Sequence, residues 1–211
     1  MISSGRHLTA TLIIVLLSTA CSNAPGDPNP STTDRTVASP SPAADRPQRS
    51  PTAPIGPTGT AVQLDQAWAT AVLTDVTTSE TFRIADLVAA GKVVFIETMA
   101  IWCSNCRAQQ VEATAAFEEL DPERVAWIAV DVESSETAEA LARYREDNGF
   151  PFTYVIADRD LARALVADFG DVVLSPPSVN IIVVGTDGRV TPLRGHKSVA
   201  EIHAVAAEHG A

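Results

Sequence analysis

Residues Phe95 to Gln110 read "FIETMAIWCSNCRAQQ", and this stretch decides the fold class. The run "KVVFIET", Lys92 to Thr98, is β-branched and aromatic without alternation. That pattern predicts a strand covered on both faces. From Cys103 onward, "CSNCRAQQVEATAAFEEL" has helical periodicity until Pro122 stops it. A buried strand running into a helix points to an α/β sheet, and Cys103 stands at the junction. There the free N–H groups and the positive end of the helix dipole face the first cysteine sulfur. They favour the thiolate, which is the nucleophile. Cys106 lies one turn further on the same helical face, so its sulfur can attack a mixed disulfide formed on Cys103.

Three other uses of the pair stay open from the residues alone. A zinc site needs about four ligands, and two cysteines supply half. Of the four histidines, His7 lies at the N-terminus, while His196, His203 and His209 sit near the C-terminus without ligand spacing; no metal is expected. A structural disulfide across two intervening residues closes little chain and gains little entropy. Two unlinked core thiols fit poorly with the partly exposed start of a helix.

The pattern continues on both sides. Upstream, "AWATAVL" (Ala67 to Leu73) reads as a strand, and "IADLVAAG" as a short helix closed by Gly91. Downstream, "VAWIAVDV" is a second buried strand. "SETAEALARYREDNG" is a helix with Ser135 as cap and Gly149 as terminator. Strand "FTYVIA", helix "RDLARALVADFG", strand "SVNIIVV", turn "GTDG", strand "RVTPLRG" and helix "SVAEIHAVAAE" follow. Alternation predicts parallel pairs, and the tight turn adds an antiparallel hairpin at one edge. Trp68 and Trp127 read as core.

The N-terminus belongs to another class. "MISSGRHLTATLIIVLLSTAC" has a short basic start and an apolar core too short for a comfortable membrane span. Residues 1–20 read as a signal peptide. Its end, "LSTAC", resembles a bacterial lipobox, with Ser18 at the usual leucine place and Leu17 one step earlier. The resemblance implies cleavage before Cys21 and acylation of its thiol. Of the three cysteines, Cys103 and Cys106 then remain as the pair, in a compartment where disulfides persist. Residues 21–60, the lipidated Cys21 and a Pro/Ser-rich run, hold few large apolar side chains and read as a disordered tether. Residues 61–211 form the folded domain. The net charge is −11 over 211 residues. This argues against nucleic acid and against electrostatic docking on anionic lipid, so the lipid itself would hold the protein at the membrane.

Given "WCSNC" after a buried strand and the strand–helix order above, the chain resembles the thioredoxin-like superfamily from about Ala67 to Glu208. The extra helix–strand, roughly Glu136 to Ala157, resembles the insert of extracytoplasmic, membrane-anchored members, the TlpA-like thiol–disulfide oxidoreductases. The resemblance implies a thioredoxin-like α/β fold: a central mixed β-sheet flanked by helices, with an inserted helix–strand. It implies a cis-proline facing the disulfide, placed at Pro177, with Pro176 before it offering no N–H to a bound substrate. Glu97, six residues before Cys103, is a carboxylate inside a buried strand, where burial raises its pKa. By resemblance it would accept and return the proton of Cys106. Trp102 would shield the disulfide and offer an apolar docking surface. Ser104 and Asn105 would tune the thiolate; Arg107 reads as a solvated helix residue.

The implied activity is extracytoplasmic thiol–disulfide exchange without a cofactor. Reduction of protein disulfides is the preferred direction, with reduction of apocytochrome c cysteines as family precedent. Its partners would be protein disulfide or dithiol clients and a membrane-embedded dithiol electron carrier. Donation of disulfides to secreted proteins is one alternative; a binding module with a structural disulfide is another. No separate peroxidatic cysteine is present, which argues against peroxide reduction.

Overall fold

The computed structural model describes residues 63–211. The signal segment 1–20, Cys21 and the 21–60 tether lie outside the described residues.

The first element corrects the reading of Ala67 to Leu73 as a strand. Ala67–Thr70 is a helical turn, α1, and only Leu73–Thr74 is extended, as β1. Alanine is the best helix former, and within the turn nothing β-branched precedes Thr70. Trp68 anchors the turn: its indole N–H donates to Asp168 at 2.7 Å and its ring packs on Phe169, centroids 5.5 Å apart. β1 pairs antiparallel with β2, Thr81–Phe82, in a small separate sheet. Helix α2, Ile84–Ala89, follows, with Gly91 in the left-handed region at φ 87°.

The main elements are β3 (Val93–Met99), α3 (Ser104–Phe117), β4 (Val125–Asp131), α4 (Ala138–Asn148) and β5 (Thr153–Ile156). Then come α5 (Arg159–Phe169), two 3-10 turns at Asp171–Leu174 and Pro176–Ser178, β6 (Asn180–Val184), β7 (Val190–Arg194) and α6 (Val199–Glu208). Two ends differ from expectation. Helix α3 stops at Phe117, short of Pro122, because the residue before a proline disfavours helical backbone and Asp121 instead turns the chain by accepting the Glu123 N–H at 2.9 Å. Helix α4 is capped by Thr137, whose hydroxyl accepts the Ala140 N–H at 3.2 Å; Ser135 is occupied with Glu133.

The five-stranded sheet has the order β5-β4-β3-β6-β7. Strands β3, β4 and β5 are parallel, β6 pairs antiparallel with β3, and β7 pairs antiparallel with β6, which is the thioredoxin-like arrangement of a mixed sheet flanked by helices. Every residue of β3 is buried, as its unbroken apolar run requires. Alternate residues feed two cores. Val94 and Ile96 pack with Trp68, Ile84 and Leu161 on the face of α1, α2 and α5. Phe95 and Met99 pack with Cys106, Leu141 and Ile202 on the face of α3, α4 and α6. Glu97 shares the parity of Phe95 and Met99, so the pleat sends it to the face that carries the cysteines.

Candidate active site

The short turn between Met99 and Ser104 delivers Cys103 to the N-cap of α3. Its Sγ accepts the Cys106 N–H at 3.1 Å. One orphan donor of the helix start is thus spent on the sulfur, in the geometry that stabilises a thiolate. Cys103 and Cys106 are joined as a disulfide, their Cα atoms 5.3 Å apart. Cys103 borders an open groove of about 350 Å3 whose walls include Trp102, Arg107 and Val111, whereas Cys106 is fully buried beneath it. Both sulfurs are buried, and Cys103 is the one of the two that lines the groove.

Pro176 and Pro177 do lie against the pair, but in another conformation than expected. Every peptide bond among the described residues is trans, including that before Pro177. The two prolines open a 3-10 turn, a position that fits their fixed φ and missing N–H. The chain is redirected into β6 by Val179, at φ 45°, so no cis bond is needed to turn it. The turn meets the site through its carbonyls. Pro176 O is 3.2 Å from Cys106 Sγ, and Pro177 O accepts the Asn105 side-chain N–H at 3.0 Å. Asn105 therefore tethers the proline turn to the start of α3.

Glu97 is fully buried on the cysteine side of β3, paired in register with Ala129 and Ile181. Its Oε2 accepts the Trp127 indole N–H at 3.2 Å, and Oε1 has no partner among the described residues. Desolvation pushes its pKa up to about 8, with Gln110 and then Trp127 pulling it back. Trp127 is core, as expected, and also a ligand of this carboxyl. Trp102 is 58% exposed, and its indole N–H donates to Glu133 at 3.2 Å.

The fold brings further polar groups here that sequence reasoning passed over. Asp131, at the end of β4, is fully buried; its Oδ1 accepts the Glu133 N–H at 2.9 Å and its Oδ2 has no hydrogen-bond partner among the described residues. Burial first, then the neighbouring Glu136 and Glu133 carboxyls, push its pKa up to about 7, against the pull of the Glu133 N–H. Glu136 places both oxygens on the Ile101 N–H, at 3.1 and 2.9 Å, and so braces the turn that presents Trp102 and Cys103. Gln110, one turn beyond Cys106, is buried as well. The signal available was its i+4 spacing from Cys106, which puts both on one face. Gln109 clamps the Lys197 backbone instead. The three C-terminal histidines are engaged singly: His196 faces Glu112 at 3.8 Å, His203 meets Ala116 O at 3.0 Å, and His209 meets Val205 O and Thr191 at 2.9 Å each. A cavity of about 470 Å3 opens over Phe117, Trp127 and Phe152, at the start of β4 and away from the cysteines, and none of the expected site residues lines it.

The AhpC/TSA family model matches residues 65–191 of the chain. No curated protein matches it. Among solved structures, it is similar to a thiol:disulfide interchange protein of the thioredoxin family from Chlorobium tepidum, at 18% identity and TM-score 0.54, covering 68% of this chain and 94% of that one. It is similar to a secreted Mycobacterium tuberculosis disulfide oxidoreductase homologous to E. coli DsbE, at 16% identity and TM-score 0.53, covering 67% and 97%. A thiol-disulfide isomerase from Corynebacterium glutamicum matches at 17% identity and TM-score 0.54, covering 72% and 97%. At these identities the likeness is one of fold.

Proposed function

The chain belongs to the AhpC/TSA family, and from that premise and the geometry of its cysteine pair we propose that it exchanges thiols and disulfides with protein clients, acting as a reductant outside the cytoplasm. One observation carries the reading: Cys103 Sγ takes a helix N-terminal N–H at the border of an open groove, with a buried carboxyl on the same face below.

In the reduced protein, the Cys103 thiolate attacks a client disulfide. One client sulfur bonds to Cys103, and the other leaves as a thiolate. Cys106 then gives its proton to the Glu97 carboxylate and attacks Cys103 Sγ. The second client sulfur is released, the client has gained two electrons, and the pair has lost two. The Glu97 pKa of about 8 belongs to the disulfide form, where the carboxyl keeps that proton at neutral pH. It is ready to return it to Cys106 when a dithiol carrier reduces the pair. Pro176 O, beside Cys106 Sγ, accepts the thiol hydrogen in the reduced form.

The location follows from the N-terminal sequence: a signal-like segment, acylation of Cys21 and a long tether would hold the domain near a membrane-embedded electron carrier. The test is a Cys106→Ser variant expressed with its natural leader. Stable mixed disulfides on Cys103, recovered from the membrane fraction, are the expected result. Their absence would favour a binding module with a structural disulfide.

A further inference from the structure

The inserted helix–strand sends two phenols into the core beside the site. Tyr144 comes from α4 and Tyr154 from β5. Both hydroxyls donate to one acceptor, Gln110 Oε1 on α3, at 3.2 and 2.8 Å. Burial pushes both phenols well above their ordinary pKa, so they remain donors across the physiological range. A carboxamide oxygen that receives two donors fixes the whole group: Nε2 must point the other way. That nitrogen has no partner among the described residues, and neither has Glu97 Oε1. The two orphans are complementary, one donor and one acceptor, and the Gln110 side chain already acts on the Glu97 carboxyl. A buried polar group left without a partner is rare, and two complementary ones together mark a bond that forms when charge appears.

We propose that Gln110, oriented by Tyr144 and Tyr154 of the insert, is a positioning residue that holds an N–H on Glu97 whenever that carboxyl is ionised, and so governs how readily Cys106 gives up its proton. The insert is then part of the chemistry. The other groups around the pair are accounted for. Strand β4 contributes Trp127 and Ala129 and β6 contributes Ile181, none of which titrates. Helix α3 contributes Cys106. Arg107, Arg145 and Glu136 act on the phenols.

The inference rests on the proposed exchange for its role, but the carboxyl can be followed without it. The experiment labels glutamate side-chain carboxyls with 13C and titrates Glu97 in the oxidised protein by NMR, alongside the pH profile of disulfide reduction. Gln110→Met removes the amide at nearly constant volume. Its Glu97 midpoint is expected to rise by about one pH unit, which is about tenfold in the acid–base equilibrium, and the rise of the exchange rate with pH to move by the same amount. Tyr154→Phe, a milder change, is expected to shift both in the same direction by about threefold. An unchanged Glu97 midpoint in both variants, with lower thermal stability, would reduce the network to packing and overturn the proposal. If the midpoint moves but the wild-type protein reduces no disulfide, the proposed function fails while Gln110's hold on the carboxyl stands.

Discussion

Two buried carboxyls occupy the same face of the sheet, Glu97 in the middle of β3 and Asp131 at the end of β4. Both are fully buried, and desolvation is the first cause of a raised pKa in both, to about 8 and about 7. Their neighbours differ. Around Glu97 stand an indole and a carboxamide. Around Asp131 stand two more carboxyls and a backbone N–H. An acid with no other charged group acting on it is suited to take up and return a proton, the part proposed for Glu97 toward Cys106. An acid among acids keeps a proton to limit repulsion, and Glu136, which helps raise Asp131, is the carboxyl that braces the Ile101 turn. Equal burial thus suits the proposed proton carrier in one place and a brace in the other.

The comparison breaks most visibly at the sulfurs. Cys103→Ser should reduce exchange to the uncatalysed background, since Cys106, fully buried and away from the groove, cannot meet a client in its place; a disulfide-reduction assay with excess dithiol checks it. Glu97→Gln should slow exchange at neutral pH by roughly 10²-fold and remove its rise toward pH 8, as stopped-flow reduction across pH 6–9 would show. Asp131→Asn should leave that rate within about threefold, because the residue touches neither sulfur.

Stability should tell the same two residues apart from a third angle. An acid with a raised native pKa binds its proton more tightly folded than unfolded. Its favourable contribution is complete below the ordinary value of 4.5 for Glu97 or 3.8 for Asp131, and is lost as pH rises toward about 8 or about 7. The melting-temperature gain of Glu97→Gln over wild type should therefore grow between about pH 5 and pH 8, and that of Asp131→Asn should level off about one unit earlier. Glu133→Gln, at an exposed pair with Trp102, should leave the urea melt essentially unchanged.

Much of this was legible in the sequence because it depends on local pattern. An apolar run without alternation required a strand covered on both faces, and a lone glutamate inside it had to be buried. Two cysteines three apart at the start of a helix had to share a face. The misreadings fall where tertiary context decides. "AWATAVL" is apolar under either helical or extended backbone, and Trp68's bond to Asp168, far along the chain, tips it to a helical turn. A proline's isomer depends on how the chain around it packs, and the bond expected to be cis at Pro177 is trans, with Val179 in the left-handed region leading into β6. Asp131 at a strand end looks like the start of a loop. Gln110's spacing from Cys106 puts it on the cysteine face, but Tyr144 and Tyr154 reach it only after α3, α4 and β5 pack, so no spacing announces their meeting.

The most direct test of the central claim, that Cys103 and Cys106 form an exchanging pair, is a redox titration of the domain in graded thiol buffers, with free thiols counted by alkylation and mass. A reversible two-electron transition below about −220 mV is the predicted result, in the range of protein reductants. A transition near −120 mV would make the protein a disulfide donor and contradict the proposed direction. A pair that stays oxidised in the strongest dithiol would contradict exchange itself.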